Sequence, residues 1–251
     1  MFPTIFEFGP VTLRTYGLLV AAGLFFGLRY MLSRANRFSI TKDSVYDAVL
    51  FAVLFGIIGA RLNYVVVEWD LYAGNLIDIF KVWQGGLVYY GGFVFAAGAI
   101  FVFAARRKIN IWKLTDIFAP AVALGHVFGR LGCFFAGCCY GRECHLPWAV
   151  EYTSSAALAP TGISLHPVQL YEAAGNFVIF LFLDGFLRRN NRPGRVLAMY
   201  LALYSALRFA VEFFRGDERG SYILGLSPAQ SLSLLSLLAG LIIFFTRKNE
   251  R

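Results

Sequence analysis

Charge is what this chain has least of. Only 15% of its 251 residues are Asp, Glu, Lys or Arg, against about 25% in an average soluble domain, which excludes an ordinary soluble domain with a large core. Its four cysteines form no C-x-x-C pair, so neither the paired spacing of a structural zinc site nor the motif of a thiol oxidoreductase is present. No internal repeat is visible, which argues against a transporter built from repeated halves. No A-x-A-like site follows the first apolar run, and further runs succeed it, so that run is expected to stay as a span and not be cleaved as a signal.

What is there is apolar. Hydrophobic residues make up 58% of the chain and phenylalanine alone counts 26. Runs of about 20 apolar residues, long enough to cross a bilayer core, recur along it. They predict an all-α integral membrane protein with about seven transmembrane helices, near 13–33, 44–66, 86–105, 115–135, 168–187, 195–214 and 227–246, forming a single transmembrane domain over 1–251.

The net charge of +8 is not spread as a nucleic-acid surface would be. Most of the basic residues sit after alternate spans: Arg29/Arg34/Arg37/Lys42, Arg106/Arg107/Lys108/Lys113, Arg188/Arg189/Arg192/Arg195 and Arg247/Lys248/Arg251. Basic clusters on alternate loops place the N-terminus outside and the C-terminus in the cytoplasm. No nucleic acid is expected as a partner. The outer face then receives 1–12, 67–85, 136–167 and 215–226, with short interfacial segments and, in 136–167, a small head region. Trp69, Tyr72, Trp83, Trp148, Tyr152 and Tyr222 suit a headgroup layer there.

Some charges fall within or beside the spans: Arg14, Arg61, Arg130, Arg208 and Arg215. Charge at membrane depth is costly, so it faces a protein interior or wet cavity and has a partner. Arg208, Glu212 and Arg215 stand at i, i+4 and i+7, on one helical face. Two arginines and one glutamate leave a unit of positive charge, which suits an anionic group such as a phosphate that arginine grips with two parallel hydrogen bonds. In the fourth span His126 and Arg130 share a face. The alternative is that these charges are structural ion pairs or snorkel to the surface. HPVQLYE, with His166, Gln169, Tyr171 and Glu172, brings four polar groups to the start of the fifth span, as a polar wall or proton relay.

In order along the chain, LRTYG (Arg14, Tyr16), GARLNYV (Arg61), GGLVYYGG (Tyr90), GRLGCFFAGCCYG (Arg130), HPVQLYE, RFAVEFFR and LSPAQSLSL resemble the motifs of the bacterial prolipoprotein diacylglyceryl transferases. The resemblance spans nearly the whole chain. It implies an enzyme of the bacterial inner membrane that moves a diacylglyceryl group from phosphatidylglycerol to the lipobox cysteine thiol of a preprolipoprotein signal peptide. The products are a thioether and glycerol 1-phosphate. The family's site lies toward the outer leaflet and uses no metal or organic cofactor.

The resemblance makes Arg130 and Arg208 the expected phosphate clamp, with Glu212 and Arg215 beside them, and Arg14, Tyr16, Arg61, Gln169, Tyr171 and Glu172 as expected substrate-binding residues. Tyr90 stands where many members have histidine, so the base for the acceptor thiol is left among Tyr90, His166, His126 and substrate positioning alone. Cys133 and Ala136 replace the signature's asparagines and Cys138 its glutamate. A related transferase with another acceptor, or a protein that binds or transports an anionic lipid or solute, is the alternative.

Cys133, Cys138, Cys139 and Cys144 are read in three ways: as one or two disulfides on an oxidising face, as small packed residues, or as functional thiols. Pairing of the adjacent Cys138 and Cys139 would be strained. The spacing C-x4-C-C-x4-C argues against a metal.

Overall fold

A computed structural model describes residues 4–8, 11–154, 156–190, 192–217 and 225–247. Tyr222, Lys248 and Arg251, counted above among interfacial and basic residues, lie outside the described residues. Seven long helices occur among the described residues: α1 (Thr15–Ala35), α2 (Lys42–Val67), α3 (Tyr89–Arg106), α4 (Ile111–Ala136), α5 (Val168–Arg189), α6 (Arg195–Glu212) and α7 (Pro228–Thr246). Each coincides with a predicted span. Six are long and apolar enough to cross a membrane. The exception is α6, whose 18 residues carry Arg195, Arg208 and Glu212.

The expected interfacial segments take two forms. An antiparallel ribbon of β1 (Thr4–Phe8) and β2 (Val11–Arg14) precedes α1. Three short 3-10 turns, Trp69–Leu71, Leu76–Phe80 and Val82–Gln84, join α2 to α3. Large apolar side chains such as Phe25, Phe93, Val178 and Leu235 are exposed along the helices. A water-soluble protein would leave no such extent of apolar surface open.

The chain divides into two compact units, residues 1–31 with 115–251, and residues 32–114. In the smaller unit α2 begins at an N-cap, where the Thr41 hydroxyl accepts from the Ser44 amide at 3.2 Å. The turns before α3 are gathered around Arg61, which is almost fully buried.

In the larger unit α1 approaches α4 through small residues. A Cβ added at Gly23 would come within 3.1 Å of Phe128 Cβ, so any larger residue would have to push α4 away by a few tenths of an ångström. Asp116 of α4, wholly buried, caps α6 from the side by accepting from the amides of Gly194 at 2.8 Å and Leu197 at 2.9 Å. A carboxylate there meets both the orphan amides and the positive end of the helix dipole. α7 opens with a capping box in which Ser227 and Gln230 bond each other's backbone amides, with Pro228 in the first turn.

The segment after α4 has a small apolar core of Tyr152, Ala159 and Leu165. Two-residue strands β3 (Val150–Glu151) and β4 (Ser164–Leu165) pair within it. It is tied to the end of α6 by the Arg142 amide donating to the Phe214 carbonyl (2.9 Å) and the Gly216 amide to the Tyr140 carbonyl (3.2 Å).

Candidate active site

Three helices of the larger unit deliver charge to one buried place. Arg130 comes from α4, Glu172 from the first turns of α5, Arg208 and Glu212 from the last turns of α6. Arg130 pairs with Glu172 through Nε and Oε2. The other oxygen of Glu172 meets Arg208 Nη1 at 3.3 Å, and Arg208 Nη2 meets Glu212 at 2.6 Å. The Ser227 hydroxyl at the head of α7 donates to Glu212 Oε1 at 2.7 Å. The result is a chain, Arg130–Glu172–Arg208–Glu212–Ser227, with side chains of Glu172 only 1% and Arg208 8% exposed.

This corrects one expectation. Arg215 does not complete a net-positive triplet with Arg208 and Glu212. α6 ends at Glu212, so the helical spacing that put Arg215 on the same face stops before it. Arg215 instead grips Asp217 with two parallel bonds of 2.8 and 2.9 Å. The four-membered chain is therefore formally neutral, with two arginines balanced by two glutamates. Its spare capacity is directional: Arg208 Nη1 and Nη2 are buried with no acceptor in hydrogen-bonding geometry, as is Nη1 of Arg215 outside the chain. Close contact without alignment leaves N–H groups able to take the oxygens of an anion.

Aromatic and polar side chains back this chain. Tyr204, four residues before Arg208, interacts with Arg130, and its ring lies 5.1 Å from that of His126. His126 Nδ1 is 3.3 Å from the Tyr200 hydroxyl. Asn176 donates to the Glu172 carbonyl at 2.8 Å. Tyr200, Tyr204, Asn176, Asp217 and Ser227 were not singled out from sequence. Their spacing is the signal that was available: Tyr204 and Asn176 sit one turn from Arg208 and Glu172 on the same faces.

HPVQLYE divides in two. Gln169 turns inward, 1% exposed, and donates to the Cys138 carbonyl at 2.8 Å and to the Tyr152 hydroxyl at 3.1 Å. Expected as a substrate ligand, it is a tether for the loop after α4, because both its donors are engaged there. His166 and Tyr171 face a second feature, an apolar pocket of about 400 Å³ lined also by Leu146, Trp148, Ala210, Val211 and Phe214. The Tyr171 oxygen accepts from Trp148 Nε1 at 2.8 Å and lies 3.2 Å from His166 Nδ1. With its acceptor side used by the indole, the phenol is placed to donate to His166. Burial, and then Arg142, hold His166 below the ordinary histidine pKa, so the ring is neutral at pH 7.

Arg61 also differs from expectation. Its Nε donates to Ile79 O (2.8 Å), Nη1 to Gly85 O (2.8 Å) and Gly86 O (3.2 Å), and Nη2 to Asp78 O (2.6 Å). Tyr72 stacks on the guanidinium, 5.1 Å from ring centre to Cζ. Four bonds to backbone carbonyls make it a clamp on the loop that leads into α3. Tyr90 is exposed in the first turn of that helix. Arg14 is exposed at the end of β2, and Tyr16 packs on Gly132 of α4.

No disulfide joins the cysteines. Cys144 is buried, with its amide donating to Ser164 O at 2.9 Å. The sulfurs of Cys133, Cys138 and Cys139 converge, all within 4.8 Å of one another. Hydrogen bonds from Cys133 and Cys138, with Arg215 adding to them, hold the Cys139 thiol well below its ordinary pKa.

A family model described as prolipoprotein diacylglyceryl transferase matches residues 3–246. The chain belongs to the prolipoprotein diacylglyceryl transferase family. It is thus an enzyme of a bacterial, multi-pass membrane family. Curated members agree over nearly full length. The phosphatidylglycerol–prolipoprotein diacylglyceryl transferase of Clostridium tetani is 33% identical over 247 residues, 97% of each chain. That of Finegoldia magna is 36% identical over 94% of this chain and 91% of its own. That of Geobacillus kaustophilus is 36% identical over 96% and 90%.

Proposed function

We propose that this protein transfers the diacylglyceryl group of phosphatidylglycerol to the lipobox cysteine of preprolipoproteins. The observation that carries the reading is the buried chain Arg130–Glu172–Arg208–Glu212 with guanidinium N–H groups left unaligned. In this reaction the acceptor thiolate attacks the glycerol carbon of the donor lipid. The C–O bond to phosphate breaks and glycerol 1-phosphate leaves, so a phosphodiester monoanion becomes a phosphomonoester with one more negative charge. Fixed donors in a site of low dielectric stabilise that new charge. Arg130 and Arg208 are assigned this clamp, and Glu172 and Glu212 hold their planes in place until the phosphate arrives.

The thiol must lose a proton to attack. We assign that proton to the His166–Tyr171 pair acting as a relay: the phenol passes its own proton to Nδ1 of the neutral imidazole and takes the thiol's proton on its second lone pair. The pocket's aromatic wall suits the apolar residues of a signal peptide. The basic clusters after alternate spans favour the C-terminus in the cytoplasm and the site toward the outer leaflet of the inner membrane.

Purified protein in liposomes containing glycerol-labelled phosphatidylglycerol and a lipobox peptide tests the reading. A labelled thioether and released glycerol 1-phosphate are expected. Binding or transport of the lipid with no covalent product would overturn it in favour of an anion-binding protein.

A further inference from the structure

Three of the four cysteines form a cluster that neither the ion-pair chain nor the apolar pocket uses. Its geometry originates in how α4 ends. The Cys138 amide donates back to the Cys133 carbonyl (3.1 Å) and the Gly137 amide to the Phe134 carbonyl (3.3 Å). That is a Schellman motif with Gly137 in the left-handed region at φ 72°. It folds Cys138 back over Cys133. Cys139, itself at φ 60°, then turns its side chain to the same point. A left-handed conformation is uncommon for a residue other than glycine, asparagine or aspartate, and such outliers collect at functional sites.

We propose that Cys133, Cys138 and Cys139 bind a soft, thiophilic metal ion in a three-sulfur site, with Cu(I) as the ion its geometry fits. Sulfurs with no mutual distance above 4.8 Å share a centre about 2.8 Å or less from each, and metal–thiolate bonds are about 2.3 Å. A closure of roughly half an ångström by side-chain rotation completes the site. The donor set is all sulfur: among the described residues no imidazole or carboxylate joins the group. Thiolates select Cu(I), zinc or iron–sulfur clusters over hard cations. Three ligands without a fourth match the low coordination number of Cu(I) better than tetrahedral zinc.

The Arg215 guanidinium interacts with Cys139, and Arg130 lies within electrostatic reach of Cys133 and Cys139. Gln169 holds the Cys138 carbonyl, so the turn that carries two of the ligands is pinned from α5. The C-x4-C-C spacing hides all this, because the convergence comes from the helix terminus and not from a paired motif.

The test uses the full chain in detergent, titrated anaerobically with Cu(I) from a chromophoric chelator. One equivalent is expected to bind with three sulfur neighbours by X-ray absorption, and to protect Cys133, Cys138 and Cys139 from alkylation mapped by mass spectrometry. C133S, C138S and C139S should each lose stoichiometric binding, while C144S retains it. Unchanged alkylation of the three thiols in the presence of Cu(I) would overturn the proposal, and that measurement needs no variant to fold. So would a disulfide within the trio in protein isolated anaerobically. Preferential stoichiometric binding of Zn(II) would overturn the assignment to a monovalent ion.

Discussion

Glu172 on α5 holds Arg130 of α4 on one carboxylate oxygen and presents the other to Arg208 of α6 at 3.3 Å. One acidic residue thus joins two cations carried by two other helices. Its neutral isostere removes the charge and keeps the shape. Glu172→Gln is expected to lower transfer in liposomes by about 10²–10³-fold, the cost of misplacing a preorganised donor. It is also expected to destabilise by about 3–5 kcal/mol, since both arginines lose a buried partner. Rate and melting temperature measured together check this. An unchanged rate would remove Glu172 from the site.

Arg208→Lys separates geometry from charge. Lysine keeps the charge but cannot bridge Glu172 and Glu212 with a planar fork. A fall in transfer of about 100-fold or more, with folding retained, is expected. Arg215→Lys should fall less, because Arg215 spends two of its nitrogens on Asp217. Equal losses for the two variants would contradict the assignment of Arg208 to the clamp.

His166 has a lowered pKa from burial, with Arg142 adding to it. The folded state therefore binds the proton less readily than the unfolded chain, whose histidine titrates near ~6.5. The sign follows: this group's contribution to stability is complete above that value and is lost as pH falls below it. Melting temperature followed from pH 8 to pH 5 should drop at the acid end for the wild type and drop less for His166→Gln. In the transfer assay, His166→Gln and Tyr171→Phe should both slow the reaction, and Tyr90→Phe should leave it nearly intact. The reverse order would move the proton acceptor to α3.

Asp116→Ala removes the side-chain cap of α6. A loss of about 1–2 kcal/mol is expected, typical of a deleted N-cap. Because Arg208 and Glu212 sit at the other end of α6, the change should appear in thermal stability before it appears in the KM for lipid. Gly137→Ala should cost about 1 kcal/mol from its left-handed backbone. Its Cβ would also meet Ala157 Cβ at 2.8 Å.

Much was determined by sequence alone. Seven apolar runs, with basic clusters after alternate ones, predicted long helices, because backbone polar groups in lipid must be bonded within the segment. Motif order placed the chain in its family, and local spacing was enough to pair Arg208 with Glu212. Tertiary structure decided the rest. Arg215 left that pair because α6 ends one turn too soon, a boundary that periodicity does not mark. Glu172 became the bridge between Arg130 and Arg208 because α5 lies where both reach it, and no spacing within one segment encodes a contact among three helices. Arg61 and Gln169 looked like ligands and are clamps, since the backbone carbonyls that occupy them are set by loop geometry. Three of the four cysteines, unpaired by spacing, meet because a glycine turns the chain back on the end of its own helix.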